Sequence, residues 1–312
     1  MTAMFSASSA AGLFTAANSH ILRHGRLAGP RGMVTREILG AQLRLTDPRR
    51  RLIHLPPARM LNAAFAVAEA MWIISGSDEP WIFEFNRTLE RYADGGVLRG
   101  AYGPRMRRWH GVDQLDRSRL QLHSDPDSRR AVVQLFDPAR DLSGGSDIPC
   151  TLGYRFFLRD GRLNMHTTMR SNDLWLGLPY DIFTATLIQE LMAGWLGVEL
   201  GDYVHSVDSL HLYAEHFEQA TLVPAEAEAQ PMAPISTPWP RLDAILAATI
   251  SGDVQALPAG SLWVDFANTM SCYRAFRAGD RDGGRATAAQ VGGPLGQSLR
   301  AWLEHLTPVV PA

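Results

Sequence analysis

Apolar and polar positions alternate with different periods along this chain, and the periods predict its elements. Residues 60–75, MLNAAFAVAEAMWIIS, are almost continuously apolar and long enough for a buried helix, with one acid, Glu69, inside the run. Such an acid either faces water at the helix boundary or points into a site, because burial without a partner is costly. RRAVVQLF, 129–136, is rich in β-formers and follows the turn-like DPDS. TLGYRFFLRD and RLNMHTTMR are strand-like runs on either side of Asp160-Gly161, a hairpin signal. A helix of about four turns is predicted after Asp181, ending near Gly197. DYVHSVDSLHLY reads as a short strand leading into a helical AEHFEQA.

Beyond 221 the pattern changes. VPAEAEAQPMAPISTPWP reads as a linker or long surface loop, and LDAILAATI, LWVDFANTMSCYRAF and LGQSLRAWLEHL carry helical spacing. There is no internal repeat. This order predicts an α+β fold, with residues 1–221 as one unit and 222–312 as a connection plus a helical region packed on it.

Composition narrows the chemistry. At 312 residues and 46% hydrophobic, the chain can bury one large core or a domain plus an appendage. A net charge of −2 argues against a nucleic-acid tether driven by bulk charge. All 30 basic residues are arginine, which excludes a lysine Schiff base and a lysine-bearing phosphate loop. The cysteines, Cys150 and Cys272, make neither a disulfide framework nor a zinc knuckle, and His205, His211 and His216 fit no zinc spacing. No metal is expected, and a reducing cytoplasm fits. The N-terminus lacks the charge and apolar core of a signal peptide, and no run is long enough to span a bilayer.

Two residues stand out chemically. Cys150 sits in DIPCT, with Arg129 and Arg130 before it and Arg170 after the returning strand. A free cysteine is usually a small buried hydrophobe, but neighbouring cations favour thiolate. Cys272, in an amphipathic helix, keeps the packing role. Asp181 closes RSNDLWLGLPYD and precedes an apolar helix, so it is either a helix N-cap or a ligand reader.

The Pro149-Cys150 step, Arg170-Ser171 with Asp173, LGLP followed by a polar residue, VHSVDSLHLY and DPDSRR, with the gaps between them, together resemble the thymidylate synthase family. EAMW around Glu69 and LRGAYGPRMRRW around Tyr102 are weaker matches. The resemblance covers roughly residues 25–218 and implies a mixed β-sheet with flanking helices and a homodimer packed sheet to sheet. It also implies a Cys150 nucleophile that attacks C6 of a pyrimidine nucleoside monophosphate, with methylenetetrahydrofolate as one-carbon donor. Thiolate addition at C6 turns C5, a weak nucleophile, into one that can attack the donor's methylene. By the same resemblance Arg170 and Ser171 hold the phosphate, with Arg129 and Arg130 contributed to it across the dimer, and Arg31 binds the substrate. His211 and Tyr213 bind the sugar hydroxyl, Asp173 contacts the folate ring, Glu69 organises water and proton transfers, and Tyr102 lies near the nucleophile.

Family members carry Asn where this chain has Asp181. An amide matches the N3–H and O4 of uracil, whereas cytosine presents an acceptor at N3 and a donor at the 4-amino group. A protonated carboxyl, favoured by burial, complements that reversed edge. The same exchange marks the cytidylate hydroxymethylase branch, where water captures the C5 methylene. Other departures point the same way. Thr151 follows the nucleophile where the family has His, Met169 replaces Gln, Leu89 and Tyr92 replace two tryptophans of the folate wall, and the chain ends in TPVVPA, unlike the family's folate-closing tail. These changes bear more on hydride transfer than on methylene transfer. The expectation is therefore CMP or dCMP 5-hydroxymethylation, with thymidylate synthesis, a silent nucleotide-binding homologue and a Cys–His hydrolase as alternatives of decreasing weight.

Overall fold

Asp160 and Gly161 turn the chain with positive φ at both residues, 51° and 70°. That is the backbone a tight two-residue hairpin requires. The surrounding architecture is that of a computed structural model describing residues 3–307. From the N-terminus it runs β1 (Ala3–Ala7), α1 (Ala10–His24), β2 (Arg26–Ala28), β3 (Thr35–Leu45), α2 (Ala63–Ile74), α3 (Tyr102–Arg107), α4 (Gln114–Ser124), β4 (Val132–Gln134) and α5 (Pro138–Asp141). Then come the hairpin strands β5 (Thr151–Arg159) and β6 (Arg162–Met169), β7 (Asn172–Asp173), α6 (Leu178–Leu196), β8 (Glu199–Tyr213) and α7 (Phe217–Thr221). The C-terminal region holds α8 (Leu242–Ser251), α9 (Leu262–Arg277), α10 (Arg281–Ala288) and α11 (Gly293–His305).

Among the described residues eight strands form one mixed sheet, ordered β1-β3-β8-β6-β5-β4, with β2 on β3 and β7 on β8. The mixed α+β architecture expected from the motifs is present. β6 and β8 run parallel, so the chain must cross over between them, and α6 is that crossover. α6 is apolar nearly all round because it lies between the sheet and α2. α2 is in turn covered by α8, α9 and α11, and all of these belong to one continuous apolar core.

The layering explains the sequence of α2. Every residue from Ala63 to Ile74 is buried except Glu69, which is half-buried. A residue that stays accessible inside a helix covered on all sides must open onto an internal cleft.

Some elements differ from the pattern-based expectation. β8 is a 15-residue strand, not a short one, and its pairing with β3 over most of its length holds the sheet's centre together. β4 keeps only three residues of RRAVVQLF. α6 begins at Leu178, three residues ahead of Asp181. Among the described residues no helix is long and apolar enough to cross a membrane. From residue 308 the TPVVPA segment lies outside the described residues.

One buried ionic cluster ties the layers together. Glu190 of α6 accepts from Arg49 Nε at 2.6 Å, from the wholly buried Arg51, and from the Ile235 backbone N–H at 3.3 Å. Removing the acid leaves Arg51 charged in an apolar interior. Glu190→Ala is therefore expected to cost about 3–5 kcal/mol of stability, read as a lower urea midpoint at unchanged slope. A loss below about 1 kcal/mol would mean that water reaches the cluster.

Candidate active site

The nucleophile candidate is held by its return strand. Arg170, just past β6, donates its backbone N–H to Cys150 O (2.9 Å), Nε to Pro149 O (2.9 Å) and Nη2 to Ile148 O (2.9 Å). Three bonds from one residue fix the 148–150 loop at the head of β5. Tyr102, at the start of α3, accepts the Thr151 backbone N–H at 3.2 Å and so sits against the same loop.

Electrostatics at Cys150 correct the sequence-based expectation of a cation-favoured thiolate. Burial raises the thiol above its ordinary value, Arg170 opposes it most, Asp181 and Asp147 push it further up, and Arg31 opposes more weakly. Burial wins, so the resting group is a thiol. The cations acting on it are Arg170 and Arg31. Arg129 and Arg130 are exposed on the approach to β4.

Arg31 sits at positive φ, 55°, near Tyr213 at the end of β8, whose hydroxyl burial raises and Arg31 opposes. Ser171 Oγ lies 3.5 Å from His211 Nδ1, which also faces Ser209 O at 3.3 Å. Asp173 Oδ1 accepts the backbone N–H of Trp175 (2.7 Å) and of Leu176 (3.1 Å), closing the turn before α6 and leaving its second oxygen free. Burial raises this carboxyl; the two backbone bonds oppose the rise. Leu89 and Tyr92, expected at a folate wall, share the short helical stretch Arg87–Tyr92, where Arg91 stacks over Tyr92 at 5.0 Å.

Asp181 does not cap α6. The cap position is Gly177, with no side-chain cap bond, and Asp181 lies in the first turn. Its carboxylate oxygen Oδ2 instead accepts Nδ2–H of Asn172 at 2.8 Å. Burial, and then the charge of Asp173, raise the Asp181 carboxyl to about 7 against the pull of Asn172. Burial, and then Asp181, raise Glu69 to about 8. Asp181 of α6 thus lies close enough to act on Cys150, Tyr102 and Glu69 of α2.

Several residues here escaped the sequence reading. Asn172 stands inside RSND yet drew no role. Behind it His205 Nε2 lies 2.9 Å from Asn172 Oδ1, and the Tyr203 hydroxyl lies 2.8 Å from His205 Nδ1. Arg59, fully buried, donates to Trp175 O and Ile53 O and packs over Tyr180, which anchors the residue before Asp181. Gly177 is needed for close approach: a Cβ there would come within 2.8 Å of Asn172 Nδ2 and 3.3 Å of Asp181 Oδ2.

The family model described as thymidylate synthase matches residues 13–246. The chain belongs to the thymidylate synthase family. A deoxyuridylate hydroxymethyltransferase of Bacillus phage SP01 is 34% identical over 228 residues, covering 68% of this chain and 59% of the relative. The chain thus matches less than two thirds of that relative's length. Within the thymidylate synthase family match lie all the residues above, from Arg31 to Tyr213, while α9 to α11 lie outside it.

The two raised acids make a pH prediction. The folded chain keeps their protons up to about 7 and 8, while the unfolded chain releases them near the ordinary values of 3.8 and 4.5. Between those limits the folded state binds more protons, so stability falls as pH rises through the window. Asp181→Asn removes one of the two acids. Its urea midpoint is expected to gain on wild type between pH 5 and pH 8.5; a constant difference would show that Asp181 is not held neutral.

Proposed function

We propose that this chain is a pyrimidine nucleotide C5 hydroxymethyltransferase acting on CMP or dCMP. The observation that carries the reading is Asp181, a carboxyl raised to about 7 by burial, in a place where the family has an amide. One of its oxygens is engaged by Asn172, which leaves the other for the base. A protonated Oδ1 donates to cytosine N3, and the carboxyl accepts from the 4-amino group. Uracil would set its N3–H against that proton. The phage relative's name gives deoxyuridylate, so cytosine is argued from Asp181 alone.

Each side chain then has a task. The Cys150 sulfur forms a bond to C6 and the ring electrons move to C5. When bound, methylenetetrahydrofolate supplies one carbon at the methylene level to C5. Asp173, with one carboxylate oxygen unused by the protein, suits a ring N–H of that folate. Glu69, protonated to about 8, and Tyr102 hold protons and water beside the base. Loss of the C5 proton breaks the bond between the transferred carbon and the donor's nitrogen, and tetrahydrofolate leaves. Hydroxide from water adds to the exocyclic methylene, and the sulfur leaves C6 as the ring double bond returns. Arg170 and Ser171 face the phosphate and His211 and Tyr213 the sugar. Arg129 and Arg130, exposed and remote from their own chain's thiol, fit delivery to a partner's phosphate in a homodimer. The half-buried sheet face opposite α6, with Phe157, His166 and Val204, supports such a pairing.

Base choice is the decisive test. Asp181→Asn should swing preference from cytosine to uracil. The reversed hydrogen-bond pair is worth about 2–5 kcal/mol, well over tenfold in the ratio of kcat/KM values. Wild type preferring uracil, or a variant that keeps the cytosine preference, would sink the reading.

The shared site has its own test. Cys150→Ala should lose both turnover and exchange of the C5 hydrogen, and Arg130→Ala should lose turnover. Heterodimers of the two are expected to recover activity at one site. Verified heterodimers without activity would count against arginines delivered across the dimer.

A further inference from the structure

Behind the carboxyl that reads the base runs a line of polar groups that no step above uses. Asn172 is buried, and so are His205, Tyr203 and Thr167. Asn172 Nδ2 donates to Asp181 Oδ2 at 2.8 Å, its Oδ1 faces His205 Nε2 at 2.9 Å, and His205 Nδ1 faces the Tyr203 hydroxyl at 2.8 Å. Thr167 Oγ1, 2.9 Å from that hydroxyl, ends the line. The line joins β7, β8 and β6 to the first turn of α6.

We propose that Asn172, held by His205, is the positioning residue that fixes which oxygen of Asp181 carries the acid proton, and thereby sets the choice of base. This rests on the cytosine reading above and names the device that enforces it.

The argument is one of donors and acceptors. His205 is buried and neutral, with its imidazolium form pushed down to about 3 by burial. A neutral imidazole has one N–H. The Tyr203 phenol is also buried and keeps its proton, its ionisation raised well out of reach by burial. Asn172 Oδ1 can only accept, so the one imidazole N–H lies on Nε2 and donates to it. The Asn172 amide then presents only N–H to Asp181. Oδ2 is therefore an acceptor and the acid proton resides on Oδ1, the oxygen left for cytosine N3.

Turned over, the amide would present its carbonyl to Asp181, draw the proton to Oδ2 and leave Oδ1 as an acceptor. That arrangement offers nothing to cytosine N3 and accepts from uracil N3–H. Base choice therefore depends on the direction of the whole line as well as on the carboxyl. Gly177, whose Cβ would come within 2.8 Å of Asn172 Nδ2, leaves the key bond room to form.

The test compares kcat/KM for CMP, dCMP, UMP and dUMP at saturating methylenetetrahydrofolate in five proteins: wild type, Asp181→Asn, Asn172→Leu, His205→Leu and His205→Gln. Asn172→Leu and His205→Leu should each lower the cytosine-to-uracil ratio by about tenfold or more. His205→Gln, which keeps a side-chain N–H donor to Asn172, should stay within about threefold of wild type.

If the leucine variants keep the wild-type ratio while Asp181→Asn shifts it, the positioning role is overturned and the cytosine reading stands. If Asp181→Asn itself leaves the ratio unchanged, the cytosine reading falls, and this inference with it. Equal loss of ratio in His205→Gln and His205→Leu would assign His205 to packing alone and overturn the proposal. Should His205→Leu fail to fold, Asn172→Leu against His205→Gln gives the same contrast.

Discussion

Two acids, Glu69 from α2 and Asp181 from α6, are buried near each other, and burial with neighbouring carboxylate charge raises both against the pull of Asn172 on Asp181. Among the described residues neither has an arginine paired with it to hold it ionised. In a low-dielectric interior the cheaper state of such a pair is protonated, since two like charges there repel strongly. This constraint shapes the rest of the site. Acids kept neutral can donate as well as accept, which a carboxylate cannot. It also requires their polar neighbours to be satisfied within the protein, and the side chains of β6 to β8 do this.

Cys150, the proposed nucleophile, follows a different logic. Arg170 directs Nε and Nη2 at backbone carbonyls of the Cys150 loop, so much of its hydrogen-bonding capacity goes into the loop's shape. The guanidinium fork allows this double duty, holding the loop while keeping a face for an anion. Because burial outweighs its charge at the thiol, Cys150 rests protonated. Addition to a ring then needs a proton acceptor at that moment, and a resting enzyme with a neutral thiol is protected from adventitious oxidation.

Much of this was legible before the coordinates. Asp160-Gly161 fixed the hairpin, because few residue pairs tolerate its backbone. The unbroken apolar run of α2 made Glu69 conspicuous, and its role as the helix's lone accessible residue follows from being covered on every side. The line behind Asp181 was not legible. His205 and His211 are six residues apart, and simple alternation puts them on one face. In the structure the buried positions of β8 slip from Val207 to Leu210. Facing that slip, Gly40 at φ 69° separates Leu39 and Ala41, which pair with Ser209 and Val207. A change of phase set by a neighbouring strand leaves little mark on the strand that shows it. Likewise the N-cap reading of Asp181 failed because α6 begins at the Pro-containing turn before it, where Gly177 starts the helix with no side-chain cap.

Among the described residues the Asp181 side chain makes a single side-chain hydrogen bond, to Asn172. Asp and Asn have the same shape, and their codons differ at the first base. On the proposed reading of Asp181, a lineage on this scaffold could exchange one pyrimidine for the other by one nucleotide substitution, without repacking a helix or moving Cys150. The barrier to drift in substrate is then chemical and not architectural. Related chains with divergent nucleotide pools would be expected to cross it repeatedly and independently.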